Sequence, residues 1–484
     1  MALSRRQFIK RTGLITAGSL FGPSLFRNPW LRQAVADSIG DRFFVVFYLN
    51  GGNDGLNTVT PIGNGPSGNG PSAALRDAYE AARGTGPGGL RLPASGSGGL
   101  LQPALPFLDP HTGAQLGFHP GLSGINDLYN MGKVAVIQGC GYPLTDFRLS
   151  HEASRGAWQT ANPLGVSTVT NGWMGRYLAA NYGGTDIPGV TIGSEVAGEY
   201  VQYATSVLAM GDVADFNFPY DTWYPSDASA KEAAFRALCA SANANNVQPT
   251  FSYLTNSGTA TVDAASNYPT LDDLYTSARQ SFDDQYTALD TGSANDLREI
   301  AKIIYGVTQN PPKVSARFFE LDNGGYDTHS DQGTGNPTDQ QYSLHKELGD
   351  AINLFYQDCA DMGVANKVCI IVWSEFGRRI QQNTSGTDHG SQAPVFVIGG
   401  AVQGGVYGNH PDIRASSWDD DGCTVYSQDP ANPFKSTDLR DIYGTLLKHW
   451  MGVSDPSVYL PAEDPNNFDP ALYWTAPNFD LGFI

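Results

Sequence analysis

Phe43-Phe44-Val45-Val46-Phe47-Tyr48-Leu49, followed at once by Asn50-Gly51-Gly52-Asn53-Asp54-Gly55, is the stretch from which the fold can be read. Seven apolar residues with no polar alternation suit a strand buried on both faces of a parallel sheet. Working outward, Val134–Ile137, Ala316–Leu321, Val368–Trp373 and Val395–Ile398 are short runs of the same kind. Between two of them Leu344, Leu348, Ile352, Phe355 and Cys359 recur at helical spacing, with Lys, Glu and Asp between. Strand, helix, strand from Ser315 to Trp373 is the crossover that a parallel pair needs. The expected fold class is therefore α/β, with a largely parallel central sheet and helices on both faces.

Polar clusters follow these runs. Gly51–Gly55, Gly324-Gly325-Tyr326-Asp327-Thr328-His329 and Ser374-Glu375-Phe376-Gly377-Arg378 stand directly at strand ends. Gly386-Thr387-Asp388-His389-Gly390 lies in the loop before the next strand. Ligands of open α/β sheets gather at the carboxyl ends of strands. Carboxylates and imidazoles collected there from distant segments are what a hydrolytic metal site requires.

The N-terminus reads as an address. Ser4-Arg5-Arg6-Gln7-Phe8-Ile9-Lys10 is followed by a moderately apolar stretch, Gly13–Phe26, and then by Ala34-Val35-Ala36. A charged region, an apolar region and an A-x-A site make residues 1–36 a signal peptide, and the paired arginines mark it as a twin-arginine one. The expected location is periplasmic or extracellular, with the twin-arginine translocase as a partner during export; an uncleaved anchor is the alternative. Loss of residues 1–36 removes six Lys/Arg and no Asp/Glu, taking the formal charge from −19 to −25. So acidic a chain is excluded as a nucleic-acid binder by charge. No later segment is apolar enough to span a membrane. The five cysteines show no C-x-x-C spacing, which removes a zinc ribbon or a redox motif. Because the clusters run from Asp54 to His389, one domain is expected over residues 37–484. It carries a Gly/Pro/Ser-rich excursion at 62–100 and a helical insertion at 228–300, the latter capping the sheet, shaping the substrate entrance or simply elaborating the structure.

These motifs resemble the exported bacterial family filed as "domain of unknown function 1501". Its members carry a twin-arginine leader followed by GGNDGLN, FHP, a GYP…SH element, G-[FY]-DTH, SEFGR and GTDHG. Here they are Gly51–Asn57, Phe118-His119-Pro120, Gly141-Tyr142-Pro143 with Ser150-His151, Tyr326–His329, Ser374–Arg378 and Gly386–Gly390. The order of elements is more distantly similar to the alkaline phosphatase and sulfatase superfamily. That likeness implies an alkaline-phosphatase-like fold. It also implies Asp54, Asp327, His329, Glu375 and His389 as metal ligands, with Asp388 as a further ligand or the partner that orients His389. Ser150, at a helix start, would be the nucleophile. There are departures: Glu375 is followed by Phe376, Asp327 and His329 are only two residues apart, and no Cys-x-Pro-x-Arg is present.

The implied activity is metal-dependent hydrolysis of sulfate or phosphate esters, on a small anionic ester or a sulfated or phosphorylated polymer. One or two divalent ions would serve, zinc or the harder Ca, Mg or Mn. Ser150 is equally an N-cap by position. His151 would touch the ester oxygen or the metal. Arg378 would hold an oxyanion or, as the preferred reading, pair with Glu375. Asn53 and Asn57 would orient Asp54 or touch substrate. His119 has no assignable role, and His345 reads as a surface or packing residue. The competing class is a non-catalytic, envelope-associated scaffold that keeps the fold and binds metal.

Overall fold

The computed structural model describes residues 40–65, 74–142, 149–162, 171–182, 187–201, 206–217, 225–245, 249–427, 432, 434–460 and 477–484. The leader expected at 1–36 lies outside them. In chain order the strands are β1 (Phe43–Leu49), β2 (Val59–Pro61), β3 (Leu116–Phe118), β4 (Val134–Gly141), β5 (Gly189–Ile192) and β6 (Val207–Met210). They continue with β7 (Phe318–Asn323), β8 (Val368–Ser374), β9 (Ala393–Gly399), β10 (Gly405–Gly408) and β11 (Thr437–Asp438). Each apolar run named above lies on one of them.

Nine strands form a single sheet in the order β10-β4-β9-β8-β1-β7-β5-β6, with β11 also on β4, while β2 and β3 make a separate antiparallel pair. β1 sits between β7 and β8, parallel to both, with Tyr48 opposite Asp322 and Trp373. The stretch that reveals the fold is thus a central strand. Its residues alternate between two cores. Phe43, Val45, Phe47 and Leu49 face a cluster that includes helices Ser123–Asn130, Gly292–Thr308 and Gln340–Asp361. Phe44, Val46 and Tyr48 face another with helices His151–Thr160, Trp173–Asn181 and Leu439–Thr445. Helices therefore cover both faces of a largely parallel sheet, as the runs predict. Three of the five cysteines, Cys140, Cys359 and Cys369, sit in these cores, and all five are buried free thiols.

One strand departs from the expected direction. β9 runs antiparallel to β8 and to β4. A parallel return needs a crossover, normally a helix, and residues 375–392 contain none. The consequence matters for the site: the loop entering β9 lies on the same sheet edge as the carboxyl ends of β1, β7 and β8. All four polar clusters therefore share one edge.

The expected insertions also take definite places. Within 62–100 the described residues hold one short helix, Leu75–Ala82, and otherwise loop. The region 228–300 is helical throughout its described part: Ala228–Asn245, Pro249–Asn267, Pro269–Leu289 and Gly292–Thr308. Ile300, Ile303 and Ile304 belong to the sheet core. Ala260, Ala264 and Asn267 line a cavity of about 260 Å³ with Ile187 and Pro312–Ser315, the residues that lead into β5 and β7. That cavity is at the opposite sheet edge. No helix among the described residues is long and apolar enough to cross a membrane.

Candidate metal centre

The centre begins with a turn that only glycine accommodates. After β1 the chain passes through Gly51 (φ +127°) and Gly52 (φ +83°). A Cβ on Gly51 would run into the Asp327 backbone, and one on Gly52 into the Phe376 ring. The turn aims two N–H groups at Glu375, at the end of β8: Gly51 donates to Oε1 at 3.0 Å and Gly52 to Oε2 at 3.0 Å. Ser374 Oγ donates to Oε2 at 2.9 Å, and His151 Nδ1 meets Oε1 at 2.8 Å. Glu375 is fully buried, with both oxygens taken. The expected metal ligand is here the group that orients His151.

Two further imidazoles are held in the same way. His329 Nδ1 lies 3.0 Å from Asp388 Oδ1. His389 Nδ1 lies 2.6 Å from the Leu149 carbonyl. In all three rings Nδ1 faces an oxygen acceptor, so a neutral ring would carry its hydrogen on Nδ1 and its lone pair on Nε2. The three Nε2 atoms then converge on one carboxylate. His329 and His389 each approach Asp327 Oδ1 at 3.2 Å, and His151 approaches Oδ2 at 3.6 Å. His329 Nε2 and His389 Nε2 are 3.0 Å apart. Ligand atoms of His151, Asp327 and His389 all lie within 4.8 Å of one another.

Lone pairs facing lone pairs repel unless a cation lies among them. Imidazoles anchored through Nδ1 to a carboxylate or carbonyl are the usual arrangement around a metal. Three nitrogens and a carboxylate suit tetrahedral zinc. His151, Asp327 and His389 therefore fit a metal ion, and His329 Nε2 stands beside them. Protonation is the other way to relieve the repulsion. At His389 burial opposes it, aided by the nearby Arg378 charge, and its pKa is lowered despite the Leu149 carbonyl and Asp327.

The carboxylates stay ionised. Partial burial works against ionisation of Asp327, but Arg378, His389 and His329 outweigh it and its pKa is lowered. Burial opposes ionisation of Asp388 too, and hydrogen bonds from His329 and Asn383 with the charge of Arg379 reverse the balance. Arg378 does not pair with Glu375. Its buried guanidinium donates to the carbonyls of Gly51, Gly52, Thr387 and Tyr326, and to Asp327 Oδ1 at 2.7 Å. Those bonds tie together three of the polar loops, engage each of the three guanidinium nitrogens and leave the side chain fully buried.

Other expected site residues stand elsewhere. Asp54 does not join the imidazoles. It is buried against Arg83, which reaches both oxygens at 2.7 and 2.9 Å, and it also accepts from Gln332 Nε2 at 2.6 Å. Asn53 and Asn57 are buried as well. Asn53 Oδ1 accepts from Thr58, and Asn57 bonds the Leu90 carbonyl and the Tyr79 hydroxyl, so neither faces a substrate. Ser150 caps helix His151–Thr160, its Oγ accepting from Ala153 N–H at 3.5 Å, and stays exposed. His119 and His345 are buried edge to face, 4.8 Å between ring centroids, and His345 meets Thr58 Oγ1 at 3.1 Å. Arg83 and the Leu149 carbonyl had no signal in the sequence, because one lies in a Gly-rich excursion and the other is backbone.

No curated protein matches this chain. Among solved structures, the PsFucS1 sulfatase from Pseudoalteromonas sp. is 11% identical, covering 88% of this chain and 72% of that chain at a TM-score of 0.35. Ps i-CgsB, solved in complex with k-i-k-neocarrahexaose, is 8% identical, covering 89% of this chain and 76% of that chain at a TM-score of 0.31. Likenesses this distant assign no residue a role. The segment that supplies Asp327, His329, Glu375, Arg378, Asp388 and His389 is another matter: residues 313–427 match the family model described as "Protein of unknown function (DUF1501)", the family that the motifs resemble.

Proposed function

We propose that this chain is an exported, metal-dependent hydrolase of sulfate or phosphate esters, built on an alkaline-phosphatase-like fold. It works through one ion held by His151, Asp327, His329 and His389. The observation that carries the reading is the convergence of three Nδ1-anchored imidazoles on Asp327. The count is one because Asp54, the donor a second ion would need, is already neutralised by Arg83. When bound, a divalent ion supplies Lewis acidity toward an ester oxygen. The chain's own residues do the rest. Glu375, Asp388 and the Leu149 carbonyl fix the ring orientations. Arg378 ties the loops and holds Asp327 ionised. Ser150 presents an exposed hydroxyl beside His151, at the N-terminus of a ten-residue helix whose dipole favours an anion. In this reading Ser150 is the nucleophile, export uses the twin-arginine translocase, and the mature protein is periplasmic or extracellular as one domain over 37–484.

A second reading is a metal-binding scaffold without turnover. It is favoured by Arg378, whose guanidinium is fully buried against carbonyls and Asp327, and by Ser150, which already serves as a cap. Metal analysis of the purified protein, followed by a screen of aryl sulfates and aryl phosphates, separates the two. Turnover that needs the metal supports the hydrolase. Stoichiometric metal with no turnover on either ester class supports the scaffold. A folded protein that binds no divalent ion removes both.

A further inference from the structure

Among the described residues, Arg155 and Arg379 are the arginines whose guanidinium groups make no hydrogen bond or ion pair to the protein. The others reach carboxylates, as Arg83 and Arg298 do, or carbonyls, as Arg42 and Arg176 do. In a chain with 48 acidic and 29 basic residues, an arginine left unpaired is conspicuous. The two unpaired groups differ. Arg155 lies 5.3 Å over the Tyr48 ring, and its charge acts on the buried carboxylates of Glu199 and Glu320. It is compensated from within.

The charge of Arg379 acts on Asp388, the carboxylate that meets His329 Nδ1. The Arg379 Nε is out of contact with solvent and without a partner, while the residue as a whole is only partly buried. Its backbone is clamped beside the metal centre. The N–H donates to the Asp388 carbonyl at 2.9 Å, and the carbonyl accepts from Arg83 Nη2 at 3.2 Å. The neighbouring bridge between Arg378 and His389 fixes the same strip of chain. An arginine with a clamped backbone and a dry, unused Nε donor, one residue from the centre's own arginine, has bonding capacity left for an oxyanion. Arg378 is not available for that function, because its side chain is fully buried and each of its three guanidinium nitrogens already bonds a carbonyl.

We propose that Arg379 is the anion-recognition residue of this centre. It takes a tetrahedral oxyanion, sulfate or phosphate, through two coplanar N–H···O bonds. The inference rests on the hydrolase reading for its biological use, but the binding stands on the Arg379 geometry. The substrate class that follows is an ester whose transferred group keeps two unesterified oxygens free for Arg379.

The test is calorimetric titration of inorganic sulfate and inorganic phosphate into the zinc-loaded, full-length protein, with Arg379→Met, Arg379→Lys and Arg155→Met alongside. Zinc content and melting temperature are measured on each. The expected result is a loss of at least about tenfold in anion affinity for Arg379→Met and a smaller loss for Arg379→Lys, which keeps charge but not the fork. Arg155→Met should retain wild-type affinity. If Arg379→Met loses zinc or melts early, Arg379→Lys alone decides. Equal affinity in wild type and the decisive variant overturns the proposal, as does a wild type that binds neither anion. Aryl ester turnover is scored separately. A wild type that binds anion through Arg379 yet turns over no ester loses the hydrolase reading and keeps the anion site.

Discussion

Asp54 and Asp327 follow neighbouring strands, β1 and β7, and each comes two or three residues after a glycine pair. In sequence they are equivalent candidates for a metal. In the structure they are opposites. Asp54 is 1% exposed and holds Arg83 bidentately. The Asp327 side chain is 47% exposed and faces three imidazole nitrogens, and its one guanidinium contact comes from an Arg378 nitrogen shared with the Gly51 and Tyr326 carbonyls. The difference is in how each charge is neutralised. Asp54 holds an arginine bidentately, while Asp327 has a single shared contact and three imidazole nitrogens that leave room for a further cation. A carboxylate at a strand end is evidence of a metal only when its neighbours cannot supply the positive charge.

The largest expected effect follows from Asp54. Removing one partner of a fully buried pair leaves the other unpaired in low dielectric, which costs about 3–5 kcal/mol. Both side chains of the Asp54–Arg83 pair are 0% exposed. Asp54→Ala should therefore lower stability in urea by about that amount, while zinc per folded chain stays at the wild-type value. Metal lost from a still-folded Asp54→Ala protein would break the contrast and return Asp54 to the centre. His389→Ala should do the reverse, abolishing stoichiometric metal with a smaller effect on the metal-free protein.

Glu375→Gln probes the layer behind the ligands. Replacing a carboxylate that orients a metal-bound histidine weakens affinity by about 10–100-fold. Here the amide would also present N–H to the Gly51 and Gly52 donors. Competition with a zinc chelator reads the loss. Wild-type affinity would mean that Glu375 serves the turn and not His151.

The sheet and its polar edge were legible because their signals are local. Short apolar runs mark β1, β4, β8 and β9, a run broken by Arg317 and Glu320 marks β7, and the 3.6-residue repeat marks helix Gln340–Asp361. The direction of β9 was not legible from its own residues; it follows from the missing crossover in 375–392. The division of labour at the site was hidden for a related reason. Glu375 and Asp388 look like ligands because carboxylates are the commonest hard donors, and only three-dimensional position reveals that their oxygens face Nδ1 atoms. Arg83 stands at the end of helix Leu75–Ala82, whose apolar repeat gives no hint that it reaches Asp54.

A third carboxylate sharpens the comparison, since it has neither an imidazole cage nor a bidentate arginine. Glu199 is fully buried and neither oxygen makes a well-formed hydrogen bond. Burial raises its pKa to about 7, against the opposing pull of its own backbone N–H, Arg155 and Gln159. Buried Glu320 is likewise raised, by burial first and then by Glu199. Here the compensating cation is a proton. Because the folded pKa lies above the unfolded one, the native state holds the proton more tightly. The stabilisation is complete below the ordinary glutamate range near 4.5 and is lost as pH rises toward about 7. Glu199→Gln should flatten that part of the stability–pH curve and be the more stable protein at pH 8. An unchanged slope would mean that the pair is balanced by Arg155 and belongs with Asp54.

The smallest expected effect falls on Ser150. As an N-cap with a long bond to Ala153 N–H, at an exposed position, it contributes at most about 1 kcal/mol. Ser150→Ala should leave metal content unchanged and shift the melting temperature only slightly, because the ring orientation of His151 is set by Glu375 and not by the cap. Its consequence for turnover should be out of proportion to that. If Ser150 Oγ attacks the ester, the variant loses turnover entirely while keeping anion and metal affinity. Turnover close to wild type would confine Ser150 to the helix end and require another nucleophile. The carboxylate contrast would survive that outcome, because it concerns what holds the ion and not what attacks the ester.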